Sequence, residues 1–482
     1  MAADHPLEEL FHPRSVAIVG ASTSQGPGGG FVTAIQEMGF QGDLYPVNPK
    51  ADEIQGLKCY HGLLDVPGAV DYVISSVPTS VVPRLVEECA QKGVKAIHFF
   101  TAGFSETGDD ERAELESRVL ARARELGMRV IGPNCMGLYS PAAGLSFMPG
   151  MPVEPGNVGM VSQSGANAGD VCRTGGARGL RYSKVISYGN AADLGESDFL
   201  DYLAQDGATE IIVGYIEGVK DGRRFLEALR AAATAKPVVI LKGGRTEAGG
   251  RATVSHTGSL AGALDVFDAV CRQAGALRVD DIEELLDVTV AFRFVRELAG
   301  PRIGLVGVGG GHSVLAADDV AAAGLEVPPL PDATRQALAA FTPVAGTSVR
   351  NPVDTNVGFG PEGNRLMRET LRLVGEAENI DAIVYQAAVG WGPGRRRAPG
   401  SDDTGPDPIE HARQAAVTAG EAMRDLGKPL VAVLRPPLTT DAMEATLAFQ
   451  AEAAARGVAT YPSVTRTAAS LRRLLAWRAL RD

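Results

Sequence analysis

One histidine of the seven in the chain sits in a setting suited to covalent chemistry. It lies in Lys242-Gly-Gly-Arg-Thr-Glu-Ala-Gly-Gly-Arg-Ala-Thr-Val-Ser-His256-Thr-Gly-Ser-Leu260. The pattern predicts a strand ending at Lys242, then a Gly-rich basic loop. Ser255, His256, Thr257, Gly258 and Ser259 then open an amphipathic helix running through Cys271. A histidine in the first turn of a helix has its protonated form disfavoured by the dipole and stays neutral and nucleophilic. A phosphoryl group carried on it would face backbone N–H donors and the positive end of the helix. A capping or core histidine is the alternative reading of the same residues. Tyr215-Ile-Glu217-Gly-Val-Lys-Asp-Gly222 supplies a second group. Glu217 ends a strand, where switch-point ligands bind, and a carboxylate there can hold the tautomer of an imidazole. An ordinary surface glutamate at a strand end fits equally.

Two further loops read as phosphate sites. Val19-Gly-Ala-Ser-Thr-Ser-Gln-Gly-Pro-Gly-Gly-Gly-Phe31 follows an apolar run and precedes a helix. Its glycines, Gly20 among them, let backbone N–H groups approach a phosphate closely. A nicotinamide dinucleotide site would also want an acidic residue ending the second strand. This strand ends Val47-Asn48-Pro49-Lys50 instead, and an ammonium suits a phosphate on the ribose, as coenzyme A carries. Val161-Ser-Gln-Ser-Gly-Ala166 is again a strand followed by a helix start. Ser162, Ser164 and Gly165 there form an anion nest, although ordinary capping explains them as well.

These loops need scaffolds. Short β-branched runs alternate with helical patterns along the whole chain, which means α/β units with doubly wound parallel sheets. The first unit has strands at 15–19, 43–47, 71–77, 96–100 and 129–131, and ends near 138–141, with a linker to 156. The second has strands at 157–161, 182–186, 211–216 and 237–241. The third has strands at 302–308, 382–385 and 429–434. Domain limits of 1–145, 150–298 and 300–482 follow. The stretch 390–408, rich in Gly, Pro, Arg and Asp, reads as a mobile surface loop. His98 falls within a strand and reads as packed. His312, after three glycines, sits at a strand-to-helix turn where it could line a site.

Composition excludes several classes. The net charge of −12 argues against a general nucleic-acid or anionic-membrane binder. Nine of the 46 basic residues are lysine, which makes each lysine worth noting. The five cysteines form no CxxC pair and no zinc spacing, and read as buried thiols of a reducing compartment. With no signal-peptide pattern and no apolar run of spanning length, the expected location is cytoplasmic.

Taken together, the motifs resemble the NDP-forming acyl-CoA synthetase superfamily, which includes the ADP-forming acetyl-CoA synthetases and succinyl-CoA synthetase. The resemblance rests on Phe11-His-Pro-Arg-Ser-Val-Ala-Ile-Val-Gly-Ala-Ser22, Tyr45-Pro-Val-Asn-Pro-Lys50, Ile131-Gly-Pro-Asn-Cys135, Ser162-Gln-Ser-Gly-Ala166, Tyr215-Ile-Glu-Gly218 and Ser255-His-Thr-Gly-Ser-Leu-Ala-Gly262, in that order. Asn351-Pro-Val-Asp354 resembles a motif of the third domain. The chain is similar to the α-type half: a Rossmann-like CoA-binding domain followed by two flavodoxin-like ligase domains. Where the family often has Gly-Gly-Pro-Gly, this chain has Gly309-Gly310-Gly311-His312.

The resemblance implies a role for each residue. Gly20, Ser22, Thr23, Ser24, Gln25 and Lys50 would bind CoA, helped by the strand end at Phe100, Thr101 and Ala102. His256 would carry the phosphoryl group and Glu217 would orient it. Ser162, Ser164, Gly165, Gly258 and Ser259 would cradle the phosphate. No ATP-grasp stretch is recognised, so ATP/ADP and Mg would bind a separate ATP-grasp β subunit in a hetero-oligomer, most simply α2β2. The other substrate would be a small carboxylic acid, and no metal site is expected on this chain. The alternatives are a non-catalytic CoA-binding regulatory or scaffold protein of the same fold, or an NAD(P) oxidoreductase, which Lys50 disfavours.

Overall fold

The computed structural model describes residues 5–22, 27–257, 264–307, 309–355, 362–389, 407–479 and 481. They form α/β sheets grouped into two compact units: residues 1–176 with 180–285, and 177–179 with 286–482.

The first unit carries two sheets. In the first sheet, β1 (Ser15–Val19) is flanked by β2 (Asp43–Val47), after which a small hairpin, β3 (Glu53–Ile54) and β4 (Leu57–Lys58), stands apart. β5 (Tyr72–Ser75), β6 (Ala96–Phe99) and β7 (Arg129–Ile131) complete the order β2-β1-β5-β6-β7, parallel throughout. β1 is buried along its whole length, as a central parallel strand must be. The helices are α1 (Pro27–Glu37), α2 (Val82–Gln91) and α3 (Asp110–Glu125). The Asp109 carboxylate caps α3 by accepting from the N–H groups of Glu111 and Arg112.

The second sheet contains β8 (Gly137–Tyr139), β9 (Val158–Ser162), β10 (Tyr182–Ser187), β11 (Ile211–Ile216), β12 (Val238–Lys242) and β13 (Leu277–Val279), in the order β13-β12-β11-β9-β10-β8. Helices α4 (Gly165–Ala177), α5 (Glu196–Gln205), α6 (Gly222–Ala235), α7 (Glu247–Thr257) and α8 (Leu264–Ala274) lie between them. Residues 138–141 do not close the first sheet as expected: β8 pairs antiparallel with β10 as an edge of the second. Nor is the stretch to 156 a loose linker. Leu145, Phe147 and Met151 are buried, and the Tyr139 hydroxyl donates to the carbonyl of Pro152 at 2.6 Å. Phe147 packs edge-on against Tyr139 of β8, a contact that composition alone does not reveal.

The second unit holds β14 (Ile303–Gly307), β15 (Ser348–Val349), β16 (Val353–Asp354), β17 (Ala382–Ala387), β18 (Leu430–Leu434) and β19 (Ala459–Tyr461). Their order is β15-β16-β14-β17-β18-β19, with only the edge strand β15 antiparallel to its neighbour. α9 (Ile282–Phe294) leads into it; α10 (Gly310–Ala322), α11 (Asp332–Ala339), α12 (Gly363–Glu376), α13 (Pro408–Leu426), α14 (Thr440–Ala455) and α15 (Val464–Ala479) follow. His312 is exposed in the first turn of α10, with Nε2 3.2 Å from Arg435 Nη1. Residues 390–406 lie outside the described residues. No helix among the described residues is long and apolar enough to cross a membrane. All five cysteines are free and buried.

Candidate active site

In the first sheet the strand order reverses between β1 and β5, so a crevice opens at their carboxyl ends. Gly20 stands there with φ +91°, and a Cβ on it would lie 2.5 Å from the Ser76 carbonyl oxygen. Only glycine fits both the torsion and the approach. The Asn48 amide donates to the Ala21 carbonyl at 2.6 Å, and its oxygen accepts the Lys50 N–H at 2.8 Å. Asn48 therefore ties the glycine loop to the turn that presents the exposed Lys50. Ser22 is half-buried at the start of this loop, whereas Thr23, Ser24 and Gln25 lie outside the described residues. At the end of β6, Phe100 packs edge-on against Phe31 and Ala102 is exposed. Thr101 is buried and its hydroxyl donates to the Val77 carbonyl at 2.8 Å, so its side chain secures the neighbouring β5 loop. Gly20 and the Asn48 turn thus bound the carboxyl ends of β1 and β2, with Lys50 exposed beside them.

The second sheet reverses between β9 and β11. Ser162 is fully buried, and its hydroxyl donates to the Ser164 carbonyl at 2.6 Å. The Ser164 hydroxyl accepts the Asn167 N–H at 3.3 Å, so it caps α4. Both hydroxyls are thus committed to shaping the helix start. An anion at this site would be met by the backbone N–H groups that open α4. Gly165 is required there, since a Cβ would lie 2.2 Å from Met136 Cγ.

Glu217 follows β11 and is buried at 6% exposure. Its surroundings fix it closely. Gln163 Oε1 accepts the N–H groups of Glu217 and Gly218, the latter at 2.9 Å. The Lys242 ammonium donates to the Glu217 carbonyl at 2.6 Å and also to that of Gly243. Burial lowers the Lys242 pKa, with the charge of Glu217 opposing. The Tyr215 hydroxyl donates to Glu217 Oε1 at 3.1 Å. Gln163, Lys242, Tyr215 and Asn48 were not assigned site roles from sequence. The signal was present in Tyr215 and Glu217, which share a strand face at i and i+2, and in the rarity of lysine.

The carboxyl ends of these two sheets meet within the first unit. After β7, Pro133 and Gly132 accept from the N–H groups of Asn190 and Ala192, each at 3.0 Å. The Met136 N–H donates to the Ser187 hydroxyl at 3.0 Å. The Asn190 amide donates to Glu106 Oε2 at 2.7 Å. Asn134 and Ala191, two of the three non-glycine residues at positive φ among the described residues, lie on this seam. Such torsions persist only where surrounding bonds enforce them. Here Lys220 does so, donating to the carbonyls of Asn190 at 2.8 Å and Ala191 at 3.0 Å. His98 lies behind the seam, buried, with Nε2 donating to the Cys135 carbonyl at 2.9 Å; burial pushes its pKa down to about 4.

His256 is placed differently from expectation. Its backbone falls in the last turn of α7, not the first turn of a helix, and α8 begins only at Leu264. The segment read as a Gly-rich loop is itself helical. Thr246 caps it, its hydroxyl accepting the Gly249 N–H at 3.1 Å, and Arg251 pairs with Glu247 at 2.7 Å. At a C-terminal turn the helix dipole gives no help to a neutral nucleophile, contrary to the expectation for a first turn. The side chain of His256, and Gly258 and Ser259 entirely, lie outside the described residues. α7 packs against the turn Ser105–Thr107 that follows β6, so the histidine-bearing helix adjoins the first sheet's carboxyl edge. Among the described residues no cluster of acids, histidines and cysteines could hold a metal ion.

A reversing parallel sheet with a glycine crevice, joined along its carboxyl edge to a flavodoxin-like sheet, defines a CoA-ligase architecture. A CoA binding domain model matches residues 14–141, and the model of a succinyl-CoA ligase like flavodoxin domain matches residues 155–292. The α subunit of an ADP-forming acetate–CoA ligase II from Pyrococcus furiosus is 36% identical over 429 residues, covering 89% of each chain. The ADP-forming acetate–CoA ligase II of Archaeoglobus fulgidus is 40% identical over 385 residues, covering 78% of this chain and 56% of that protein. The structure of a dinucleotide-forming acetyl-coenzyme A synthetase 1 from Ca. Korarchaeum cryptofilum, in complex with phosphate and ADP, superposes with a TM-score of 0.80 at 31% identity, covering 98% of this chain and 97% of that one. The chain belongs to the NDP-forming acyl-CoA synthetase superfamily. It spans about half the length of the first relatives it matches, 56% of the Archaeoglobus protein and 50% of a Methanocaldococcus jannaschii one.

Proposed function

We propose that the chain is the catalytic α subunit of a cytoplasmic ADP-forming acyl-CoA synthetase, which joins a small carboxylic acid to CoA at the expense of ATP. The observation that carries this reading is the seam, where the glycine crevice of the first sheet and the Glu217 pocket of the second open in one unit, with α7 alongside. The three-domain division at 1–145, 150–298 and 300–482 is part of the same reading. So is a separate ATP-grasp β subunit that binds ATP with Mg, most simply as α2β2.

In the synthesis direction His256 receives the γ-phosphoryl group and ADP leaves. Glu217 accepts from the imidazole N–H, which fixes the tautomer and offsets the loss of any help from the dipole. The N–H groups at the start of α4, shaped by Ser162, Ser164 and Gly165, neutralise the phosphoryl oxygens, joined by Gly258 and Ser259. The carboxylate oxygen of the acid then takes the phosphoryl group from His256. The resulting acyl phosphate is attacked at its carbonyl carbon by the CoA thiolate, and phosphate departs. CoA is held through Gly20, Ser22, Thr23, Ser24, Gln25 and Lys50, with Phe100, Thr101 and Ala102 at the neighbouring strand end. Co-expression with an ATP-grasp chain is expected to give thiol consumption that needs both ATP and an acid. The purified chain alone is expected to bind CoA without forming acyl-CoA from ATP. Absence of acid-dependent thiol loss across a panel of carboxylic acids refutes the reading.

Lys50 gives a separate test of the nucleotide. An exposed ion pair contributes up to about 1 kcal/mol, roughly fivefold in affinity. Calorimetry is expected to show CoA binding tighter than dephospho-CoA by about that factor, with Lys50→Ala erasing the difference. Preferential binding of NADH would overturn the CoA assignment.

A further inference from the structure

We propose that Tyr215 is the positioning residue that sets the Glu217 carboxylate for its work on His256; the inference rests on the function proposed above. The main chain of Glu217 is pinned on both sides, by Gln163 at its N–H and Lys242 at its carbonyl. Its side chain is met at Oε1 by the Tyr215 hydroxyl, which donates to it at 3.1 Å. Gly243 enforces the pairing from across the end of β12. A Cβ there would lie 2.7 Å from the Tyr215 hydroxyl oxygen and 3.0 Å from Glu217 Cγ. The φ of Gly243 is not positive, so the demand for glycine is one of space. The Asn167 side chain, in the first turn of α4, lies close enough to the same phenol to favour its ionised form. Tyr215 therefore links the helix start proposed to cradle phosphate with the carboxylate proposed to orient the histidine. Burial and the nearby Glu217 charge raise its pKa, so it remains a donor across the working range. The titratable groups facing Glu217 among the described residues are Tyr215, Lys242 and Tyr188.

The test is a double-mutant cycle on the assembled enzyme, reading single-turnover phosphorylation of His256 from labelled ATP. Tyr215→Phe is expected to slow phosphorylation about tenfold, with CoA affinity unchanged, because a hydrogen bond to a charged group is lost. The KM for ATP is expected to stay unchanged while the single-turnover rate falls, since the carboxylate is mispositioned and not removed. In a Glu217→Gln background the same change is expected to cost little more. Gly243→Ala, which displaces the hydroxyl without removing it, is expected to slow the step in the same direction. An equal tenfold loss in both backgrounds, or a raised KM for ATP with the rate unchanged, overturns the role of Tyr215 while leaving the function standing. A wild-type enzyme that takes no label on His256 overturns both.

Discussion

Replacing His256 with alanine is expected to abolish phosphoryl uptake: with an ATP-grasp partner and γ-labelled ATP, the native chain should carry label that is stable to alkali and labile to acid, and the variant none. Acyl-CoA formation falls by about 10⁴-fold or more, because no other group can take over a covalent relay of this kind. The structure sharpens the expectation. With the histidine in the last turn of α7, the helix dipole favours the imidazolium and opposes a phosphoryl dianion. Stabilisation of a phosphohistidine must then come from elsewhere, chiefly the α4 start and the Glu217 pocket. CoA binding is expected to survive the substitution, since the nucleotide crevice lies on the first sheet. Label that persists in His256→Ala would move the nucleophile to another residue.

The crevice of the first sheet was largely legible because its cues are local. A buried apolar run ending in glycine, then Asn48-Pro49-Lys50 at the next strand end, needs no knowledge of distant packing. The α/β sheets themselves follow from β-branched runs alternating with helical patterns. The structure departs from the reading where local cues conflict with packing. Residues 247–257 contain adjacent glycines that argue against helix, yet the Thr246 cap and the Glu247–Arg251 pair were available as a start signal and outweigh them. β8 has three residues, too few to show a period, and its pairing with β10 is set by tertiary contacts. Ser162 and Ser164 stand at the start of α4, where the sequence places a helix opening. Their hydroxyls, however, shape the loop, and the capping alternative describes Ser164 as it stands. The clamp around Glu217 was out of reach, because Gln163, Lys242 and Tyr215 converge from three strand ends separated by up to 79 residues.

Glu217→Gln is expected to slow phosphorylation of His256 by about 10²–10⁴-fold, the usual worth of a group that orients or exchanges a proton with a nucleophile. The amide keeps the size of the side chain and can still accept through one oxygen, so the pocket is preserved. What it loses is the charge that stabilises the imidazole N–H as the other ring nitrogen attacks. It also gains an N–H that competes with the Tyr215 hydroxyl at Oε1, turning a donor–acceptor pair into a donor–donor contact on one of its two rotamers. The buried Lys242 ammonium worsens the effect, because Glu217 is the charge the structure places against it; without that charge its lowered pKa falls further. CoA affinity is expected to stay within about twofold, since the residue lies on the second sheet and the crevice on the first. A fall in CoA affinity with phosphorylation intact would make Glu217 a residue of the seam and not of the chemistry.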